Sequence, residues 1–237
     1  MCADREVGTR RASPSLDDIL TRLEALSNPQ AAEGMVRYGI TGAKVYGVSV
    51  PNLRTMAKEI RRDHDLALQL WAVSSRETRI LASMVADPRS VTDELMEAWV
   101  QDFDSWEVCD QCCMNLFKKT AFAYPKAVAW SSRDEEFVKR AGFVLMACLA
   151  VSDKKAVDEQ FAAFFPLMLR EAHDGRNYVK KAVNWALRQI GKRNPRLNQQ
   201  AIKMARQMQQ MDSPSAPWIA ADALRELTSD AVQKRWI

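Results

Sequence analysis

Residues 178–191 read YVKKAVNWALRQIG; FVKRAGFVLMACLA stands 41 positions earlier, at 137–150, and WIAADALRELTS 40 positions later, at 218–229. Each opens with an aromatic residue followed by a β-branched one, and the two earlier segments place alanine fifth. Apolar residues then recur at intervals of three and four, which gives a helix one apolar face. A period near 40 residues with two helices per unit is the mark of HEAT- or armadillo-type stacking. Such arrays curve and offer a long concave binding face. Similar helices coinciding by chance in an irregular bundle would leave the same trace, so both architectures stay open at this point.

The rest of the chain supports an all-α fold. Only 8 of 237 residues are glycine, 47% are hydrophobic, and no alternating run ends in a hairpin turn. Prolines at 14, 29, 51, 88, 125, 166, 195, 214 and 217 act as punctuation, most of them just ahead of a helical pattern. Ser15 and Asp18 form a capping box ahead of Leu16, Ile19, Leu20, Leu23 and Leu26. Further helices are predicted over 106–122, 137–151, 161–169, 178–190, 202–211 and 218–227, within a total of about a dozen, each roughly 8 to 18 residues long. Residues 1–14 read as a short disordered tail and 15–237 as a single repeat domain.

Composition excludes several classes. Every apolar run meets a charge within about a dozen residues, short of the roughly 20 that a bilayer crossing needs. The opening residues have no apolar stretch of a signal peptide. Five cysteines, at 2, 109, 112, 113 and 148, make no disulfide framework and suggest a reducing, cytoplasmic setting. The CxxC of Cys109 and Cys112 has no second pair and no suitably spaced histidine, so no metal is expected. His64 and His173 are isolated, no Ser/His/Asp order suggests a triad, and neither GxGxxG nor a P-loop occurs, so no cofactor is expected either. The formal charge of +4 hides an imbalance: residues 118–196 hold 16 basic against 8 acidic side chains, and residues 1–117 hold 13 against 18. A basic segment inside the repeats is the footprint of a polyanion partner, or a set of solvated helix faces.

Three residues break the local pattern. Asp110 falls on one stripe with Trp106, Cys113 and Phe117, spaced by four, three and four. A carboxylate set among apolar groups is either held in a structural ion pair or lines a cleft where a cation is expected. Arg140 shares a face with Phe137 and Val144. Trp185 is framed by Lys181, Arg188 and Gln189, which suits a π-face for a sugar or base beside its phosphate, or simple core packing with snorkelling cations.

These residues together resemble the AlkD-like family of DNA alkylation repair glycosylases. The resemblance rests on W-x-x-x-D at Trp106 and Asp110, FVKRA carrying Arg140, YVKKAVNWALRQIGKRNP carrying Trp185, and MVRYGITGAKVYGVSVPNLRTMAKEI over 35–60. It covers about residues 20 to 228. It implies a HEAT-like solenoid that, as a monomer and without a membrane, cradles double-stranded DNA in a basic concave groove. The implied reaction is hydrolysis of the N-glycosidic bond of cationic alkylpurines, 3-methyladenine and 7-methylguanine, for base excision repair. Asp110 would be the catalytic carboxylate, Trp106 and Trp185 aromatic walls against the deoxyribose, Arg140 a contact to the backbone near the lesion, and Tyr38 a further contact. The basic residues of the same repeats, Lys139, Lys180, Lys181, Arg188, Lys192 and Arg193, are expected at the DNA. Glu107 and the cysteines of the 106–117 stretch have no implied role. The rival reading is a non-catalytic scaffold in which Asp110 and Arg140 form a structural bridge; a protein-only adaptor would turn the lysines and arginines of 180–193 to different faces.

Overall fold

A computed structural model describes residues 14–40 and 44–236, so the expected tail lies, except for Pro14, outside the described residues. The chain runs through α1 (Leu16–Ala25), α2 (Pro29–Val36), α3 (Val50–Ile60), α4 (His64–Ala72), α5 (Arg76–Val85), α6 (Asp93–Gln101) and α7 (Trp106–Asn115). It continues through α8 (Ala123–Trp130), α9 (Glu136–Ser152), α10 (Asp158–Ala162), α11 (Phe165–Glu171), α12 (Asn177–Gly191), α13 (Pro195–Gln209), α14 (Ser215–Leu227) and α15 (Asp230–Gln233). No strand occurs among the described residues, and none of their helices is long and apolar enough to cross a membrane.

Local chemistry sets the helix starts. Ser15 and Asp18 form the expected capping box, and the side chains of Asn28, Ser49, Asp63, Ser75, Thr92, Ser105 and Asn194 each accept a bond from a backbone N–H of the first turn. Two of the predicted helices are interrupted. The 106–122 helix ends at Asn115 and gives way to a 3-10 turn at Phe117–Lys119, and α8 starts afresh at Ala123. Phe117 therefore leaves the stripe it was expected to share with Asp110. The 161–169 segment splits into α10 and α11 because Pro166 sits at the start of α11, where its missing N–H is tolerated, and cannot continue a helix from Ala162.

The helices stack in two layers. α5, α7, α9, α12 and α14 pack side by side in one layer, and α4, α8, α11 and α13 back them. The aromatic starts of the sequence repeat, Phe137, Tyr178 and Trp218, fall in the first turns of α9, α12 and α14, three consecutive members of the first layer. This is a HEAT-like helical repeat solenoid, and the period near 40 is real. α9 lies at its centre, buried from Val138 to Ala150. A Cβ on Gly142 would stand 2.6 Å from the backbone nitrogen of Ser131, so α8 and α9 approach closely only because that residue is glycine.

A buried polar cluster ties the N-terminal helices to this stack. The Glu77 carboxylate accepts from the backbone N–H groups of Tyr46, Gly47 and Val48 at 3.0, 3.0 and 3.2 Å. Arg76 donates to Glu77, to the Val48 carbonyl and to Glu107 on α7 at 2.8, 2.9 and 2.7 Å. Glu107, without a role in the sequence reading, thus helps to position the chain that leads up to α3.

Candidate nucleic-acid interface and catalytic cleft

The N-terminal halves of α7, α9 and α12 lie side by side. Ser105 caps α7, which places Trp106 in its first turn and Asp110 one turn later on the same face. From α9, Arg140 donates from Nε to Asp110 Oδ1 at 2.9 Å and from Nη2 to Oδ2 at 2.8 Å, a bidentate pair. Its Nη1 donates to the Tyr178 carbonyl on α12 at 2.7 Å, so one guanidinium joins three helices.

The turn after α2 closes one side. Trp106 Nε1 donates to the Tyr38 carbonyl at 2.8 Å. Gly39 has φ +75°, and a Cβ there would stand 1.7 Å from the Tyr178 hydroxyl oxygen, so that hydroxyl rests on the glycine backbone. The Tyr178 ring packs against Phe137 at 5.5 Å between centroids. Between these elements opens a cleft of about 640 Å³, lined by Tyr38, Trp106, Asp110, Arg140, Asn177, Tyr178 and Lys181 together with residues of the 36–39 turn.

Asp110 is only 8% exposed. Burial pushes its carboxyl above the ordinary carboxylate range, and the Arg140 charge opposes that shift. A carboxylate has about four acceptor positions, of which Arg140 occupies two. The others remain for a ligand or a water in the cleft.

Residues 19–227 match the family described as "DNA alkylation repair enzyme". The chain belongs to that family. It is 23% identical over 133 residues to the uncharacterized protein Lin0241 of Listeria innocua serovar 6a, an alignment covering 54% of this chain and 59% of that one. It therefore spans less than two thirds of that relative. Its fold is similar to that of a solved structure described as "a new family of proteins related to the HEAT-like repeat DNA glycosylases with affinity for branched DNA structures". The TM-score is 0.76 at 18% identity, with 90% of this chain and 94% of that chain covered.

In this member of the DNA alkylation repair family, Tyr38, Trp106, Asp110, Arg140 and Lys181 come together as expected, with Tyr38 72% exposed at the rim. Trp185 is half-buried against the core and does not line the cleft; it follows Lys181 by one turn, about 6 Å along the helix. The continuous basic row does not form. Lys139 is buried and paired with Glu171 at 2.5 Å and Asp174 at 3.4 Å, so it is not a DNA contact. Arg188 pairs with Glu226 at 2.8 Å and Asp222 at 3.4 Å, and Lys192 pairs with Glu226 at 2.6 Å. Arg193 donates to the carbonyls of Ala150 and Ala156 and stacks on Phe161 at 3.9 Å, at the far end of α9. The physical reason is that the neutralising carboxylates come from the next repeat, more than 30 residues away in sequence.

Asn177, Tyr178 and Gly39 belong to the cleft without having been singled out for it. Tyr178 carried a signal as the aromatic start of a repeat; Gly39 carried none, since its role is a contact across the fold. The cysteines pack the back of α7: Cys109 and Cys113 lie 3.7 and 3.9 Å from the carbonyls of Phe137 and Ala141 on α9. Burial pushes the Cys112 and Cys113 thiols well above their ordinary range and Cys148 up to about 12, so they are neutral core groups.

Proposed function

We propose that the chain is a monofunctional DNA glycosylase that hydrolyses the N-glycosidic bond of cationic alkylpurines in duplex DNA. The observation that carries this reading is the convergence of an indole and a carboxylate from α7 and a guanidinium from α9 on one open cleft.

A base such as 3-methyladenine or 7-methylguanine is positively charged and leaves readily once its glycosidic bond lengthens, so no acid is required to protonate it. The remaining barrier is the oxocarbenium-like sugar, onto which the positive charge moves. Asp110 stabilises that charge through its negative field in a site with little competing water, and the Trp106 π-face adds to it. The acceptor positions of Asp110 not used by Arg140 orient the attacking water. Arg140 holds the carboxylate in place and, through Tyr178, fixes α12 against it. Lys181 and Tyr38, both exposed residues of the cleft lining, contact the DNA backbone.

The test is release of 7-methylguanine and 3-methyladenine from methylated duplex by the wild type and by Asp110→Asn. Single-turnover release should fall at least about a hundredfold in the variant, the scale of losing one electrostatic group in a preorganised site. No release by wild-type protein sinks the reading, and equal release by both removes Asp110 from its role.

A second reading is favoured by one specific observation, the bidentate neutralisation of Asp110 by Arg140. On it the cleft is a non-catalytic DNA-binding site, in line with the branched-DNA affinity ascribed to the structural neighbour. It predicts tighter binding to a four-way junction than to linear duplex, with no base release.

A further inference from the structure

The contact between α12 and α14 is a ladder, and its uppermost rung differs from the others. On α12 and its C-cap the row Lys180, Asn184, Arg188 and Lys192 advances by four residues; on α14 the facing row is Trp218, Asp222 and Glu226, also by four. Rows of this kind are the ridges through which packed helices meet. Asn184 Nδ2 donates to Asp222 Oδ2 at 2.7 Å, Arg188 reaches Asp222 and Glu226, and Lys192 reaches Glu226. Each cation of the lower rungs is matched by a carboxylate.

At the top the pattern stops. Where a third acidic residue would complete it stands Trp218, and Lys180 Nζ lies over its ring at 5.1 Å from the centroid. No ion pair among the described residues engages Lys180. Trp218 is 41% exposed. The rung is level with the cleft, because Lys180 sits in sequence between Tyr178 and Lys181, which both line it.

Resting on the DNA-binding reading above, we propose that Lys180 and Trp218 form a backbone clamp that extends the cleft towards the C-terminal repeat. Lys180 neutralises a phosphate of the strand leaving the cleft, and the exposed indole packs on the adjacent deoxyribose. The physical basis is that an aromatic partner orients an ammonium without cancelling its charge, whereas a carboxylate would cancel it. The lower rungs hold the repeats together, and the top rung keeps its charge for the ligand.

The substitution that separates this from a purely structural contact is Trp218→Glu, which continues the acidic row and pairs Lys180 internally. It should leave the helical circular dichroism and the melting temperature at or above wild type. Trp218→Phe retains an aromatic face and serves as the conservative control; Lys180→Gln removes the charge alone. Binding is measured by anisotropy of a fluorescein-labelled duplex carrying one tetrahydrofuran abasic site, over a series of salt concentrations. Trp218→Glu should raise Kd by about tenfold, within the range of losing one aromatic nucleic-acid contact, and lower the salt slope by about one, the loss of one neutralised phosphate. Lys180→Gln should lower the slope by the same amount, and Trp218→Phe should stay within about threefold of wild type.

Wild-type affinity and salt slope in both Trp218→Glu and Lys180→Gln overturn the clamp, as does a wild type that fails to bind the duplex. The clamp is read from affinity and the glycosylase reading from base release. A wild type that binds but releases no base therefore defeats the latter, while the affinity ratio still decides the former.

Discussion

Asp110 and Arg140 decide whether the cleft can do chemistry. A carboxylate acts on an oxocarbenium ion only when ionised, and burial shifts this carboxyl upward while Arg140 opposes the shift. The acid limb of the pH–rate profile should therefore lie above the ordinary aspartate value of 3.8. In Arg140→Gln the opposing charge is gone, so the limb should move to higher pH and the rate at pH 7 should fall. Single-turnover release of 7-methylguanine between pH 4 and 9 measures both; an unmoved limb would mean that Arg140 does not tune Asp110. Both residues stood out in the sequence as charges set among apolar neighbours. Their pairing was one of two open readings, and only the packing of α9 on α7 decides it, because the pattern of one helix is silent on which residue of the next helix faces it.

At the scale of elements, α9 and α11 are joined by a buried charge cluster. Burial raises the carboxyls of Glu171 and Asp174, and their cationic partners outweigh it: Lys139 and Arg170 for Glu171, chiefly Arg176 with Lys139 for Asp174. Both end below their ordinary values of 4.5 and 3.8. A carboxylate whose pKa is lower in the folded state stabilises the fold above its unfolded pKa, and that contribution is lost as pH falls through the folded one. Stability should therefore decline from about pH 4.5 downwards. Lys139→Ala should cost about 3 kcal/mol at pH 7, the scale of stranding a buried partner, and its stability should depend less on pH across the acid range. Urea denaturation at pH 7 and pH 4 tests both statements. The same lysine shows how an element misleads: FVKRA displays Lys139 and Arg140 side by side, yet adjacent helix positions face about 100° apart, and only Arg140 reaches the cleft. The break at Pro166 is the reverse case, since proline's missing N–H is a local fact and was present in the sequence.

Across the whole molecule, the basic excess of residues 118–196 is largely spent inside the fold. Arg188 and Lys192 answer Asp222 and Glu226 of the following repeat, and Asp222 also pairs with Arg225. Removing those two acids frees the cations for phosphate. The double variant Asp222→Ala, Glu226→Ala should bind duplex DNA more tightly at low salt than wild type, with a salt slope steeper by up to about two. A melting temperature lower by a few degrees should accompany it, from the loss of partly exposed pairs. Unchanged affinity in a folded double variant would place the DNA away from this face of α12.

The sequence by itself determined the helical class, the repeat with its period near 40, the Ser15 capping box, the helix starts near 106, 137 and 178, and the presence of Trp106, Asp110, Arg140 and Trp185. These follow from spacing along one chain, where a few neighbouring residues carry the information. Only the tertiary structure decided that Arg140 neutralises Asp110, that Gly39 seats the Tyr178 hydroxyl, that Lys139, Arg188, Lys192 and Arg193 are occupied internally, and that Trp218 meets Lys180. Each of these joins residues about 30 or more positions apart, and charge, unlike helical period, is settled by whichever partner the packing brings within reach.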